Sequence, residues 1–118
     1  MKTTAGPRVR DHFTKSAASV AATYAAVLAA ARALGPVSED PKKTSIHLNR
    51  KTAFAGIATR KAALILTVKS AKELDGPRVV KNEQTSASRW HVEVKLEAPS
   101  QVDAKVRAWL AAAYELSA

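Results

Sequence analysis

The stretch WHVEVKLEAPSQVDAKVRAWL, residues 90–110, changes its hydrophobic period midway. From Trp90 to Leu96 the residues alternate, with Trp90, Val92, Val94 and Leu96 on one side and His91, Glu93 and Lys95 on the other. A period of two is the mark of a half-buried β-strand. Beyond Pro99 the apolar residues Val102, Val106, Trp109, Leu110 and Ala113 recur at helical steps. Ser100 reads as the cap of that helix, with Asp103 three residues on as a variant capping box. A sheet and a helix must therefore share one core.

Upstream, Phe13, Ala17, Val20, Tyr24, Val27, Ala31 and Leu34 fall at three- and four-residue steps and predict a long first helix. Thr14 or Ser16 can cap its start, and Gly35-Pro36 ends it. Asp40-Pro41 marks a turn. Thr44 to Asn49 then alternates with Ile46 and Leu48 on one side, and Arg50-Lys51 reads as a hairpin tip. The strand returns over Thr52 to Ala58, and whether Phe54 shares the side of Ile46 depends on turn length, because one residue of register flips every side chain. Thr59 to Lys61 makes the next turn and Ala63 to Val68 reads as a buried strand. Ser70 to Ser88 is the least regular part, with Asp75-Gly76-Pro77 as a turn and Arg78 to Lys81 as a short strand or helical turn. The expected fold class is α+β, in the order α-β-β-β-β-α, with a small antiparallel sheet and two helices packed on one of its faces. Residues 1–12 read as a flexible arm before a single domain over 13–118, since Thr3, Thr4, Gly6 and Pro7 break any periodicity.

A chain of 118 residues is one domain on length, and 47% hydrophobic content suffices for a core. Aromatics are only 5% and alanine is abundant, so the helices must pack closely to bury useful area. With no cysteine, disulfides, thiolate nucleophiles and cysteine-based zinc sites are excluded. Met1 to His12 holds no apolar run of a secretory signal, and the longest uncharged stretch, Ser16 to Ala31, is shorter than the roughly 20 residues of a bilayer span. A cytoplasmic protein with no membrane contact is the expectation. The 19 basic against 10 acidic side chains give a formal net charge of +9. Residues 1–61 hold 11 basic and 3 acidic groups, whereas residues 62–118 hold 8 and 7, so the excess is concentrated in the first half. Such asymmetry favours an anionic partner, nucleic acid or a phosphorylated ligand, though it also serves solubility alone.

Several short motifs occur in an order that resembles a family of small bacterial domains of unknown function, often labelled predicted transport proteins. They are Asp11-His12-Phe13, Leu34-Gly35-Pro36, Pro41 to Leu48, Ala53-Phe54-Ala55-Gly56, Arg89-Trp90-His91, Ala108-Trp109-Leu110 and Ala113-Tyr114. The helix–sheet–helix layout is more loosely similar to the YdhG-like, frataxin-like domains. A transporter would need a spanning segment, and an iron chaperone would need clustered carboxylates, whereas the ten acids here are spread thinly. Some relatives in the resembled family begin with a cysteine/histidine segment like a zinc finger, which a chain without cysteine cannot reproduce.

Three basic pairs, Lys42-Lys43, Arg50-Lys51 and Arg60-Lys61, flank one predicted hairpin and can converge on a phosphate, with Thr44 and Ser45 as hydroxyl donors. No aromatic interleaving accompanies them, so a base-stacking platform is not indicated. His47 and His91 each fall on the non-core side of a strand, and their imidazoles can serve acid–base chemistry if the strands are neighbours. Ser45 and His47 share a face without an acid partner or a nucleophile elbow, so no catalytic residue is assigned. No cofactor motif and no metal-ligand spacing is present. Trp90 and Trp109 lie on apolar stripes and read as core. The first expectation is thus a non-enzymatic module that binds an anion through Lys43, Ser45, His47, Arg50, Lys51, Arg60, Lys61 and His91. A small-molecule or catalytic site on His47 and His91 with the Ser70–Ser88 segment is an alternative, and a protein-interaction or dimerisation domain, such as a homodimer through an exposed β edge, is another.

Overall fold

The computed structural model describes residues 8–118. A 3-10 turn, Val9–Phe13, leads to α1, Ala18–Arg32. Strands β1 (Ser38–Pro41), β2 (Ile46–Asn49), β3 (Ala53–Thr59), β4 (Leu64–Ser70), β5 (Val79–Ser86) and β6 (Arg89–Leu96) follow, and α2 (Ala104–Leu116) closes the chain after a 3-10 turn at Pro99–Gln101. All strands pair antiparallel, in the order β1-β2-β3-β4-β6-β5. The fold is α+β. Most of the expected arm lies outside the described residues; its last part, Val9 to His12, belongs to the first 3-10 turn.

Register fixes the two faces of the sheet. Ile46, Ile57, Leu66 and Val94 lie side by side across four strands, as do Leu48, Ala55, Val68 and Val92. These residues form one core cluster with Val20, Tyr24, Val27 and Ala31 of α1 and Val106, Leu110, Ala113 and Tyr114 of α2. Both helices therefore cover the same face, and His47, Gly56, Thr67 and Glu93 run across the other.

The sheet has six strands where the sequence pattern indicates four. Ser38–Pro41 is an edge strand that contains Asp40-Pro41, the pair expected to make a turn, and Pro41 is tolerated there because an edge needs no second row of bonds. Tyr24 ties this edge to α1 by donating to Glu39 at 2.6 Å, and burial followed by that carboxylate holds its phenol far above the usual range. Val79–Ser86 is the opposite edge, exposed along most of its length and so without a buried face to impose a period. Its pairing is mostly through backbone, which composition does not reveal.

A bulge decides Phe54. Asn49 pairs with Ala53 and Leu48 with Ala55, so Phe54 is the extra residue and turns toward the helices, edge-on to Tyr114 at 5.2 Å. Both expected caps are corrected. The first residue before α1 is Ala17, with no side-chain cap; the Ser16 hydroxyl donates instead to the Arg60 carbonyl at 2.8 Å, and the Ala17 N–H to Lys61 at 2.7 Å. The α2 cap is Asp103, which accepts from the Val106 N–H at 3.0 Å, because Pro99 and its neighbours first make the 3-10 turn. Gly35, at φ +150°, ends α1 against Tyr114: an added Cβ would lie 2.5 Å from the phenol oxygen, which itself bonds the Pro36 carbonyl at 3.0 Å.

Gly35→Ala is expected to cost about 1–3 kcal/mol in urea unfolding, and less in a Tyr114→Phe background, which removes the oxygen and leaves the backbone strain with a ring contact of 3.3 Å. Equal costs in both backgrounds would show that the hydroxyl is not the obstacle. The Val106 N–H bond and then Arg78 hold the Asp103 carboxyl below the ordinary value of 3.8. A depressed acid stabilises the fold above that value and loses its contribution as pH falls through the lower folded one. Thermal denaturation should therefore show an acid limb below about pH 3.8 that is shallower in Asp103→Asn.

Candidate functional site: a cationic cleft at one end of the sheet

Antiparallel strands send successive turns to opposite ends, and this sorts the basic pairs. The β1–β2 turn, closed by Lys42 N–H to Ser45 at 2.7 Å, and the β3–β4 turn, closed by Arg60 N–H to Ala63 at 2.8 Å, lie at the same end. There the first 3-10 turn packs on both. His12 donates from Nε2 to the Lys42 carbonyl at 2.8 Å, and the Thr59 hydroxyl donates to the His12 carbonyl at 2.6 Å. The result is a cleft of about 520 Å³ lined by Lys15, Lys43, Arg60 and Lys61, with His12 and Thr44 between them.

The charge in this cleft is largely uncompensated. Its one carboxylate, Asp11, is held by Arg8 through the backbone N–H at 3.1 Å and the guanidinium at 3.6 Å. Lys42 is drawn off by Asp40 at 2.9 Å, which lowers the Asp40 pKa. Lys15, Lys43, Arg60 and Lys61 have no ion-pair partner among the described residues and are exposed. Four cations on walls locked by backbone bonds can take an acidic group with several oxygens.

Arg50 and Lys51 do not join them. The β2–β3 turn is at the other end of the hairpin, against the C-terminus of α2. Arg50 donates to the Tyr114 carbonyl at 3.1 Å, lies 4.2 Å from the centre of the Tyr114 ring and 3.6 Å from Glu115. The Lys51 N–H reaches Ser117 at 3.4 Å. A cation on the last carbonyls of a helix meets the negative end of its dipole, which gives Arg50 a structural task.

Ser45, His47 and His91 lie on the outer sheet face and line a shallow depression of about 250 Å³. β2 and β6 are not neighbours; two strands separate them, about 14 Å of backbone by strand spacing. The Ala71–Pro77 stretch of the Ser70–Ser88 segment contributes nothing to that depression, since it lies beside α2. No group of three or more histidine and acidic residues is positioned to hold a metal among the described residues.

Sequence alone does not single out His12 or Lys15, because His12 falls in the stretch read as an arm and Lys15 in the first turn of the expected helix. The Asp11-His12-Phe13 motif carried the only signal, and it did not say that His12 would brace a turn thirty residues on.

These features define a small antiparallel α+β domain with a cationic cleft. The chain belongs to a family described as a domain of unknown function (DUF5655), whose model matches residues 9–117. No match was found among curated proteins or among solved structures. The family's description mentions neither transport nor the YdhG-like domains, and no helix of the described residues is long and apolar enough to cross a membrane.

Arg50→Ala is expected to lower stability by about 1–2 kcal/mol, the sum of one carbonyl bond and one cation–ring contact. Chemical denaturation measures it, and an unchanged midpoint would deny Arg50 its structural task.

Proposed function

We propose that the domain is a non-enzymatic binding module whose partner is anionic and phosphate-bearing, taken in the cleft between the first 3-10 turn and the β1–β2 and β3–β4 turns. The carrying observation is that Lys15, Lys43, Arg60 and Lys61, from three separate segments, surround one concavity whose only carboxylate is already paired. Solvated surface lysines need no such scaffold; here three side-chain-to-backbone bonds hold the walls together. A cavity of about 520 Å³ suits a phosphorylated small ligand or a short run of nucleic-acid backbone. No tryptophan, tyrosine or phenylalanine lines it, so bases would not be stacked or read there. A cytoplasmic setting, where such partners abound, belongs to this proposal.

The imidazole-based reading is weaker. His47 and His91 stand on strands separated by two others, whereas general acid–base work needs each group within hydrogen-bond reach of the reacting group. Dimerisation through β5 is also disfavoured, because bulges after Val79 and Gln84 and the charges of Lys81 and Glu83 blunt that edge.

Tripolyphosphate and mixed-sequence DNA and RNA, titrated at low and moderate salt, test the proposal. Binding should weaken as salt rises, and the double substitution Lys43→Ala with Arg60→Ala should weaken it about tenfold or more, on the scale of charge-assisted hydrogen bonds. Arg50→Ala should leave it unchanged. Absence of binding to all three probes at low ionic strength, or binding indifferent to the double substitution, refutes the proposal.

A further inference from the structure

A second cavity, about 510 Å³, opens at the far end of β4, between the β4–β5 connection and the flank of α2. The length of β4 separates it from the cationic cleft by about 20 Å. Trp109, Ala112 and Leu116 of α2 make one wall, and the connection around Leu74 makes the other. Trp109, expected in the core from its apolar stripe, is only partly buried and presents part of its indole here.

The wall is built rather than loose. Asn82 of β5 clamps the backbone of Leu74 in both directions: its Oδ1 accepts from the Leu74 N–H at 2.9 Å and its Nδ2 donates to the Leu74 carbonyl at 3.1 Å. The Ser70 hydroxyl, itself buried, donates to the Lys72 carbonyl at 2.6 Å and accepts from the Lys72 N–H at 3.2 Å. Gly76 closes against Trp109, where an added Cβ would lie 3.4 Å from the ring. An irregular stretch of polar sequence is thereby held as a fixed rim.

The chemistry of the groove is amphipathic. Lys69, Lys72 and Lys105 come to it from a strand, a turn and a helix, and none has a carboxylate partner among the described residues. Lys69 is occupied by the Ser117 hydroxyl at 2.8 Å, and Lys105 lies 5.6 Å from the Trp109 ring centre. Glu73 and Asp75 also border the opening, so the rim has one more positive than negative charge. A volume of a few hundred Å³ with an aromatic and aliphatic wall is in the range of a small-molecule site, and here the rim is charged.

We propose that this groove binds a small organic anion, with a flat apolar body laid on Trp109, Ala112 and Leu116 and a carboxylate head toward Lys72 and Lys105. The site is independent of the phosphate-binding cleft. An indole face favours planar, conjugated bodies, and the lysine heads select the charge of the ligand.

The probe is 1-naphthoate, titrated against the whole chain alongside the isosteric cation 1-naphthylmethylammonium, with the indole N–H resonances of Trp90 and Trp109 followed by NMR. The expected result is a saturable shift of the Trp109 resonance with naphthoate and binding about tenfold weaker for the cation. Lys105→Gln and Lys72→Gln, both at exposed positions, should together erase that preference without unfolding the protein. Ala112→Phe, also exposed, should fill the groove and abolish the shift while the Lys43→Ala, Arg60→Ala pair leaves it intact. Equal affinity for the two probes, a shift that survives Ala112→Phe, or perturbation confined to the residues around His12 and Lys61 would each overturn the proposal.

Discussion

The pairing of β4 with β6 is the constraint from which the remaining structure follows. It runs unbroken from Leu64↔Leu96 to Ser70↔Trp90 and puts Leu64, Leu66, Val68, Val92, Val94 and Leu96 on one face, all 0% exposed. Each such side chain contributes about 1.5–3 kcal/mol when fully buried, so this face must be covered along its whole length. Two alanine-rich helices can approach it closely enough to do so, with Tyr24 and Tyr114 filling the gaps that alanine leaves. Once both helices lie on that side, the other face is left as an open sheet, and both ends are left for turns.

Electrostatics then divides the two ends between different tasks. At the α2 end the cations are used internally: Arg50 holds the last carbonyls of the helix, and Lys69 binds Ser117 beside Thr52. At the α1 end Lys42 pairs with Asp40, the bracing bonds are made by hydroxyl, imidazole and backbone groups, and Lys15, Lys43 and Lys61 are left without a carboxylate among the described residues. The same residue types thus serve cohesion beside a helix C-terminus and outward charge elsewhere. The difference is the presence of a helix C-terminus, whose carbonyls need donors.

Much of the fold was legible in the residues. The alternation of Trp90 to Leu96 and of Ile46 and Leu48, and the helical steps around Val20 and Val106, follow from burial on one side, and burial leaves a period in sequence. The edge strands showed poorly: Asp40-Pro41 reads as a turn, only Arg78 to Lys81 reads as a short strand or helical turn, and Val79–Ser86 is largely solvent-facing and paired mostly by backbone bonds available to any residue. The caps misled for a related reason: Ser16 and Ser100 are sound cap residues, but a bond to Arg60 and a preceding 3-10 turn took precedence. Of the candidate site, Lys43, Arg60 and Lys61 stay together, while Arg50 and Lys51 are carried away by half a hairpin.

By itself the chain determined its class: an α+β domain, cysteine-free, with its positive excess in the first half. Those properties depend on composition and on local period, which neighbouring residues express without reference to the rest of the chain. Only the tertiary structure decided which cations share a cleft, that His12 braces it, that Phe54 turns inward and that Trp109 borders a groove. Each of these depends on strand register and on which end of a strand a turn occupies. A single bulge or one added edge strand changes them while leaving the pattern of the sequence almost untouched.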